Sequence, residues 1–156
     1  MSISSIMTGL EGLAPTYSSD VVVNIWAYDA MKDTLNESEC PVRMIGRADD
    51  KQSAALEVNN LSNKDRAEWR LLDRCYLFPV MLDQGIENYN HKILEYMDSY
   101  MTAVSADKCL SAAASDATRL VTSVEFSAPY ELPFPDVSGA PVFWVVDAVV
   151  TVEEYR

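Results

Sequence analysis

Histidine is almost missing from this chain: its 156 residues include one, His91. General acid-base chemistry at neutral pH most often uses an imidazole held by oriented partners, and one histidine on the polar side of a helix offers none. His91 therefore reads as a solvent-exposed side chain. Glycine is also scarce. Gly9, Gly12, Gly46, Gly85 and Gly139 are scattered, and no two of them form a phosphate cradle. There is no GxGxxG, P-loop, GxSxG or HExxH pattern. Cys40, Cys75 and Cys109 are odd in number and far apart, which argues against a disulfide framework and a thiolate metal site and suits a reducing compartment. No catalytic residue, cofactor or metal site is expected.

Positive charge is scarce too. Twelve Lys and Arg face 24 Asp and Glu, a net charge of −12. Such a chain repels a phosphate backbone instead of neutralising it, so a DNA-binding role is disfavoured. The acidic pair Asp49-Asp50 falls in a polar stretch without the spacing of an EF-hand loop and reads as solvated. Glu153 and Glu154 are adjacent on a strand, so they point to opposite faces and share no site. Long apolar runs are absent as well. The longest, Val142 to Val152, is broken by Asp147 and falls short of the roughly 18 residues a membrane helix needs. No basic region precedes an apolar stretch at the N-terminus, so a signal peptide is not expected.

What is present is the composition of a folded domain, 49% hydrophobic and 23% charged, at a length suited to a single domain over residues 1–156. Ile3, Ile6, Met7, Leu10 and Leu13 share one helical face, and Ala14-Pro15 stops that short helix. Val21 to Tyr28 is β-branched and aromatic and predicts a strand. Short strands are expected at 41–47 and 54–58, with a polar turn at 59–64. From Ala67 to Leu82, Trp69, Leu71, Cys75 and Leu77 alternate with Arg70, Arg74, Tyr76 and Phe78, the period of a half-buried strand. The longest helix is expected at 88–104, with Tyr89, Ile93, Tyr96, Met97, Tyr100, Met101 and Val104 as its core stripe. Residues 107–118 read as a loop. Residues 120–130 and 142–153 read as two closing strands. Their connection, Glu131 to Pro141, is punctuated by Pro133, Pro135 and Pro141 and is not expected to form a ladder strand. The fold class is α+β: an antiparallel or mixed sheet with the long helix packed on one face and a short N-terminal helix.

The connection is unusually apolar. Tyr130, Leu132, Phe134 and Val137 make it a candidate subunit interface. The competing account is that the segment folds back over its own core.

The order of elements resembles the tail terminator, or tail completion, proteins of long-tailed bacteriophages. The resemblance rests on the N-terminal helix ending in Gly12-Leu13-Ala14-Pro15-Thr16-Tyr17, the strand Trp69 to Pro79 running into Gln84-Gly85, the long helix at 88–104, and the final strand pair joined through 130–142. It is a likeness of pattern over most of the chain, without a diagnostic motif, and residues 29–63 depart from the compact form of the family. The resemblance implies a virion protein of the tail and neck, made in the host cytoplasm. It implies a self-assembled hexameric ring that caps the tail tube, contacts the tail tube protein and the head-completion or connector protein, and needs no membrane or cofactor. Genomic DNA would pass through the lumen without specific binding, which acidic walls favour. A head-completion or neck protein is a related reading. The alternative from another class is a cone-shaped ligand-binding or enzymatic domain resembling the nuclear-transport-factor group, with Tyr76, Phe78, Tyr96, Tyr100, Phe126 and Trp144 lining its pocket.

Overall fold

A computed structural model describes residues 3–27, 32–47, 54–57, 66–81, 85–110, 119–135 and 137–155. The Asp49-Asp50 pair and the turn expected at 59–64 lie outside them. Helix α1 spans Ile3–Glu11 and α2 spans Asn90–Ala106. The strands are β1 (Thr16–Tyr17), β2 (Asp20–Val21), β3 (Asn24–Ala27), β4 (Val42–Arg47), β5 (Ala54–Glu57), β6 (Arg66–Pro79), β7 (Arg119–Phe126), β8 (Tyr130–Pro133) and β9 (Val142–Tyr155). The class is α+β with a mixed sheet.

The two longest strands, β6 and β9, pair antiparallel and form the middle of a seven-stranded sheet ordered β3-β4-β6-β9-β7. β5 adds to β6 beyond the end of β4, and β8 adds to β9 beyond the end of β7. Among the described strands, only β3 and β4 pair in parallel.

Both helices cover one face. Ile6 and Leu10 of α1 and Ile93, Tyr96, Tyr100 and Val104 of α2 pack against Leu71, Cys75, Leu77, Val146, Val150 and Val152. Gly9 makes the fit of α1 possible: a Cβ there would meet the Leu110 carbonyl oxygen at 2.5 Å. The expected α2 stripe is thus buried at Ile93, Tyr96, Tyr100 and Val104, whereas Met101 is 42% exposed and Met97 sits at the margin of the core. Helical spacing identifies a face, but the packing of the helix on the sheet decides which of its positions are covered. Ile93→Asp should therefore lower stability by more than about 3 kcal/mol, since it buries an unpaired carboxylate. Met97→Asp should cost clearly less. Thermal melts of the two variants check the order, and equal losses would show that the core edge is misplaced.

Three expectations change. The run predicted as one strand from Val21 to Tyr28 is divided. Val21 belongs to a small hairpin with β1, turned at Ser18 and Ser19 with φ of 55° and 69°, the paired positive values of a tight hairpin turn. The chain then re-enters the main sheet at Asn24, and Tyr28 lies outside the described residues. Secondly, Tyr76 and Phe78 do not share a face. A bulge between them places Tyr76 under the second face, while Phe78 packs on the helical side and stacks on Tyr89 at 3.9 Å. Thirdly, the connection at 131–141 does hold a ladder strand. β8 pairs Tyr130 with Val145 and Pro133 with Val142. It is tolerated because the proline ends the strand, and the Phe134 amide continues the pairing by donating to the Pro141 carbonyl at 2.9 Å.

Candidate functional site

On the second face of the sheet, the 130–141 segment supplies part of the cover. Here Trp26, Val42, Met44, Tyr76, Phe143 and Val145 form a second core with Leu35 and Phe134. Phe134 meets Tyr76 nearly edge-on, with ring centroids 5.5 Å apart, and Trp26 at 6.0 Å. Such contacts add to simple burial because the ring edge is positive and the ring face negative.

The four interface candidates therefore occupy different environments. Phe134 is buried, 6% exposed. Tyr130 and Leu132 are half-buried against the same cluster. Val137 is 58% exposed at the tip of the excursion, just before Gly139, whose φ of +82° turns the chain back towards β9. One sequence segment thus holds residues that cover their own domain and one that projects from it.

Tyr130 has a polar role that its apolar neighbours hid. Its hydroxyl donates to Asp147 Oδ2 at 2.7 Å. Arg74 grips the same carboxylate through Nε at 2.8 Å and Nη2 at 3.1 Å. Burial and then the bond to Asp147 push the Tyr130 phenol upward, so it stays a donor. Burial works against the Arg74 cation, but the Asp147 hydrogen bond and charge outweigh it and raise its pKa. This is a bidentate anchor between β6, β8 and β9. A cleft of about 520 Å³ lies beside it, lined by Lys32, Asp33, Arg74, Tyr76 and residues Leu132 to Pro135. Lys32 is held at the rim by Glu39 at 2.6 Å and lies 5.0 Å above the Trp26 ring.

On the helical side, a buried ionic network joins four elements. Arg43 and Asp73 are both fully buried. Arg43 Nε donates to both Asp73 oxygens at 3.2 Å, Nη1 to the Leu13 carbonyl and Nη2 to the Leu10 carbonyl, each at 2.8 Å. Tyr100 donates its hydroxyl to Asp73 at 2.8 Å. The guanidinium thus caps the end of α1 while its own charge is neutralised on β6. Burial opposes the Arg43 cation, yet Asp73 more than compensates and holds its pKa above the ordinary value. Burial first, then the Asp73 charge, keeps the Tyr100 phenol protonated. Sequence reasoning passed over this network, although a signal existed: Asp73 has the same parity as Leu71, Cys75 and Leu77.

Residues weighed for chemistry are dispersed. His91 is exposed on α2. Burial pushes the Cys40 thiol up to about 12, which leaves little thiolate to act as a nucleophile. Among the described residues, no group of three or more His, Cys, Asp or Glu is placed to hold a metal ion. No described helix is long and apolar enough to cross a membrane. The six aromatics suggested for an enclosed pocket are not gathered round one cavity. Tyr76 lies under the second face, whereas Tyr96 and Tyr100 are fully buried between helix and sheet, with Phe126 edge-on to Tyr100 at 5.7 Å.

No protein-family model and no curated protein matches the chain.

Proposed function

We propose that this chain is a structural subunit of a bacteriophage tail and neck: a ring-forming tail terminator that caps the tail tube, joins it to the head and performs no catalysis. The observation that carries the reading is the succession and stacking of elements. A short N-terminal helix and a long helix lie on one face of a sheet whose closing strands, β7 and β9, pair antiparallel and are joined by a segment that carries β8 and projects at Val137. That is the arrangement the resemblance implies. The net charge of −12 supports it, because acidic walls let DNA slide without sticking. In this reading Val137 meets a neighbouring subunit or the tube, and the partners are further copies, the tail tube protein and the head-completion or connector protein.

Negative-stain electron microscopy of the purified chain, alone and mixed with the tube protein encoded in the same genome, tests this. The expected result is a hexameric ring, free or seated on one end of the tube. Particles bound to the head connector but never to tubes would favour the neck-protein reading. A chain that stays single under both conditions would overturn the proposal.

A further inference from the structure

The cleft beside the Arg74–Asp147–Tyr130 anchor holds hydrogen-bonding capacity that the fold does not use. Arg74 grips Asp147 side-on, through Nε and Nη2. A guanidinium has a second donor edge, formed by Nη1 and the outer N–H of Nη2, and that edge fits a carboxylate through two parallel bonds. Among the described residues, Arg74 Nη1 donates to none, and it is not a buried unpaired atom. The side chain is 29% exposed and lines the cleft. The Tyr130 hydroxyl on Oδ2 fixes the Asp147 carboxylate, and the carboxylate fixes the guanidinium plane. The second edge is therefore preorganised for an acceptor from outside the fold.

Much of the remaining lining is apolar and held in place. Tyr76 and Phe134 are buried and meet nearly edge-on, and Leu132 packs against the same cluster. Pro133 and Pro135 have no amide hydrogen to offer. The volume, about 520 Å³, lies within the roughly 300–1,000 Å³ of small-molecule sites. The charges narrow the choice of ligand. Asp147 balances Arg74, and Glu39 balances Lys32. Attraction at the free edge is therefore short-range and charge-assisted, and it does not come from a net positive field. Asp33, exposed in the same lining, pairs with no cation among the described residues. It opposes a second negative charge in the cleft.

We infer that this cleft binds a small monocarboxylate with an aromatic body, its carboxylate on the Nη1 edge of Arg74 and its ring against Tyr76, Phe134 and Leu132. Each part of the ligand answers one part of the lining. The carboxylate supplies the two acceptor oxygens that the fork can hold, whereas a neutral amide supplies one. The ring gains from aromatic side chains that are already ordered. A dianion of the same size meets Asp33. The site goes beyond the ring reading and does not depend on it, so its failure leaves that reading as it stands.

NMR titration of the isotope-labelled full chain with phenylacetate tests it. Saturable shifts are expected at the amides of Asp33, Tyr76, Leu132 and Phe134. Phenylacetamide, with the same ring and no charge, and phenylmalonate, with a second carboxylate, should each bind about tenfold more weakly. Arg74→Lys keeps a cation for Asp147 but lacks the second edge, and it should weaken phenylacetate about tenfold, with a thermal melt confirming that it folds. Asp33→Asn, at an exposed position, should narrow the gap between phenylmalonate and phenylacetate. If Arg74→Lys does not fold, the ligand series and Asp33→Asn decide. No saturable shift up to roughly 10 mM phenylacetate would overturn the inference. So would equal affinity for phenylacetamide, undiminished binding by folded Arg74→Lys, a gap unmoved by Asp33→Asn, or shifts confined to residues outside the cleft.

Discussion

Asp73→Ala should destabilise the domain by about 3–5 kcal/mol, a large part of the stability of a protein this size. The loss comes less from the missing attraction than from what is left behind. Arg43 is fully buried, and among the described residues its remaining hydrogen-bond acceptors without Asp73 are the Leu10 and Leu13 carbonyls. The Tyr100 hydroxyl loses its acceptor as well. Buried donors without acceptors retain their full desolvation penalty. The network joins α1, β4, β6 and α2, so the deficit spreads across the helical layer. The double replacement Arg43→Met with Asp73→Leu removes both charges and should cost distinctly less than the two single changes added together, by roughly 0.5–3 kcal/mol of coupling. Urea unfolding of the four proteins in the cycle measures this directly. Additive losses would mean that the pair acts as two independent side chains and that α1 is held by packing alone.

Phe134→Ala should cost a similar amount, about 3–5 kcal/mol, because it empties the centre of the second core. Phe134 contacts Trp26 and Tyr76 and is the principal side chain that the 130–141 segment contributes to that cluster. The paired change Leu132→Ser with Phe134→Ser should accordingly lower the melting temperature of the single domain. Val137→Ser should leave it within about 0.5 kcal/mol of the parent, since an exposed side chain loses little on truncation. Any effect of Val137→Ser should appear in assembly instead. Equilibrium unfolding of the three variants tests the division. A parental melting temperature for Phe134→Ala would show that this segment does not cover its own core, and every apolar residue in it would then be available to a partner.

The excursion also shows what an apolar pattern leaves open, since Tyr130, Leu132, Phe134 and Val137 occupy different environments in the fold. In the sequence the four form one group, because apolar side chains between prolines need cover. Two independent facts separate them in space. β8 pairs with β9 up to Pro133, which turns Phe134 inward, and Gly139 reverses the chain after Val137. Neither is encoded in the apolar pattern itself. The Arg74–Asp147–Tyr130 anchor was hidden for a related reason, since its members are far apart in the chain and meet only through the registers of β9 with β6 and β8.

Periodicity by itself determined a good deal about this protein. The 3.6-residue repeat located α1 and the buried stripe of α2, and the two-residue repeat located β6 and β9, because both follow from local backbone geometry and the need to bury one side. The α+β class followed from the order of those elements. Tertiary structure alone decided the rest. It set which of two strand faces a helix covers, where a bulge sends Phe78 to the opposite side from Tyr76, and that β3 runs parallel to β4. It also brought Arg43 to Asp73 across thirty residues of chain. A charged side chain can sit in an apolar register only when a distant partner neutralises it, and the position of that partner is a property of the folded sheet.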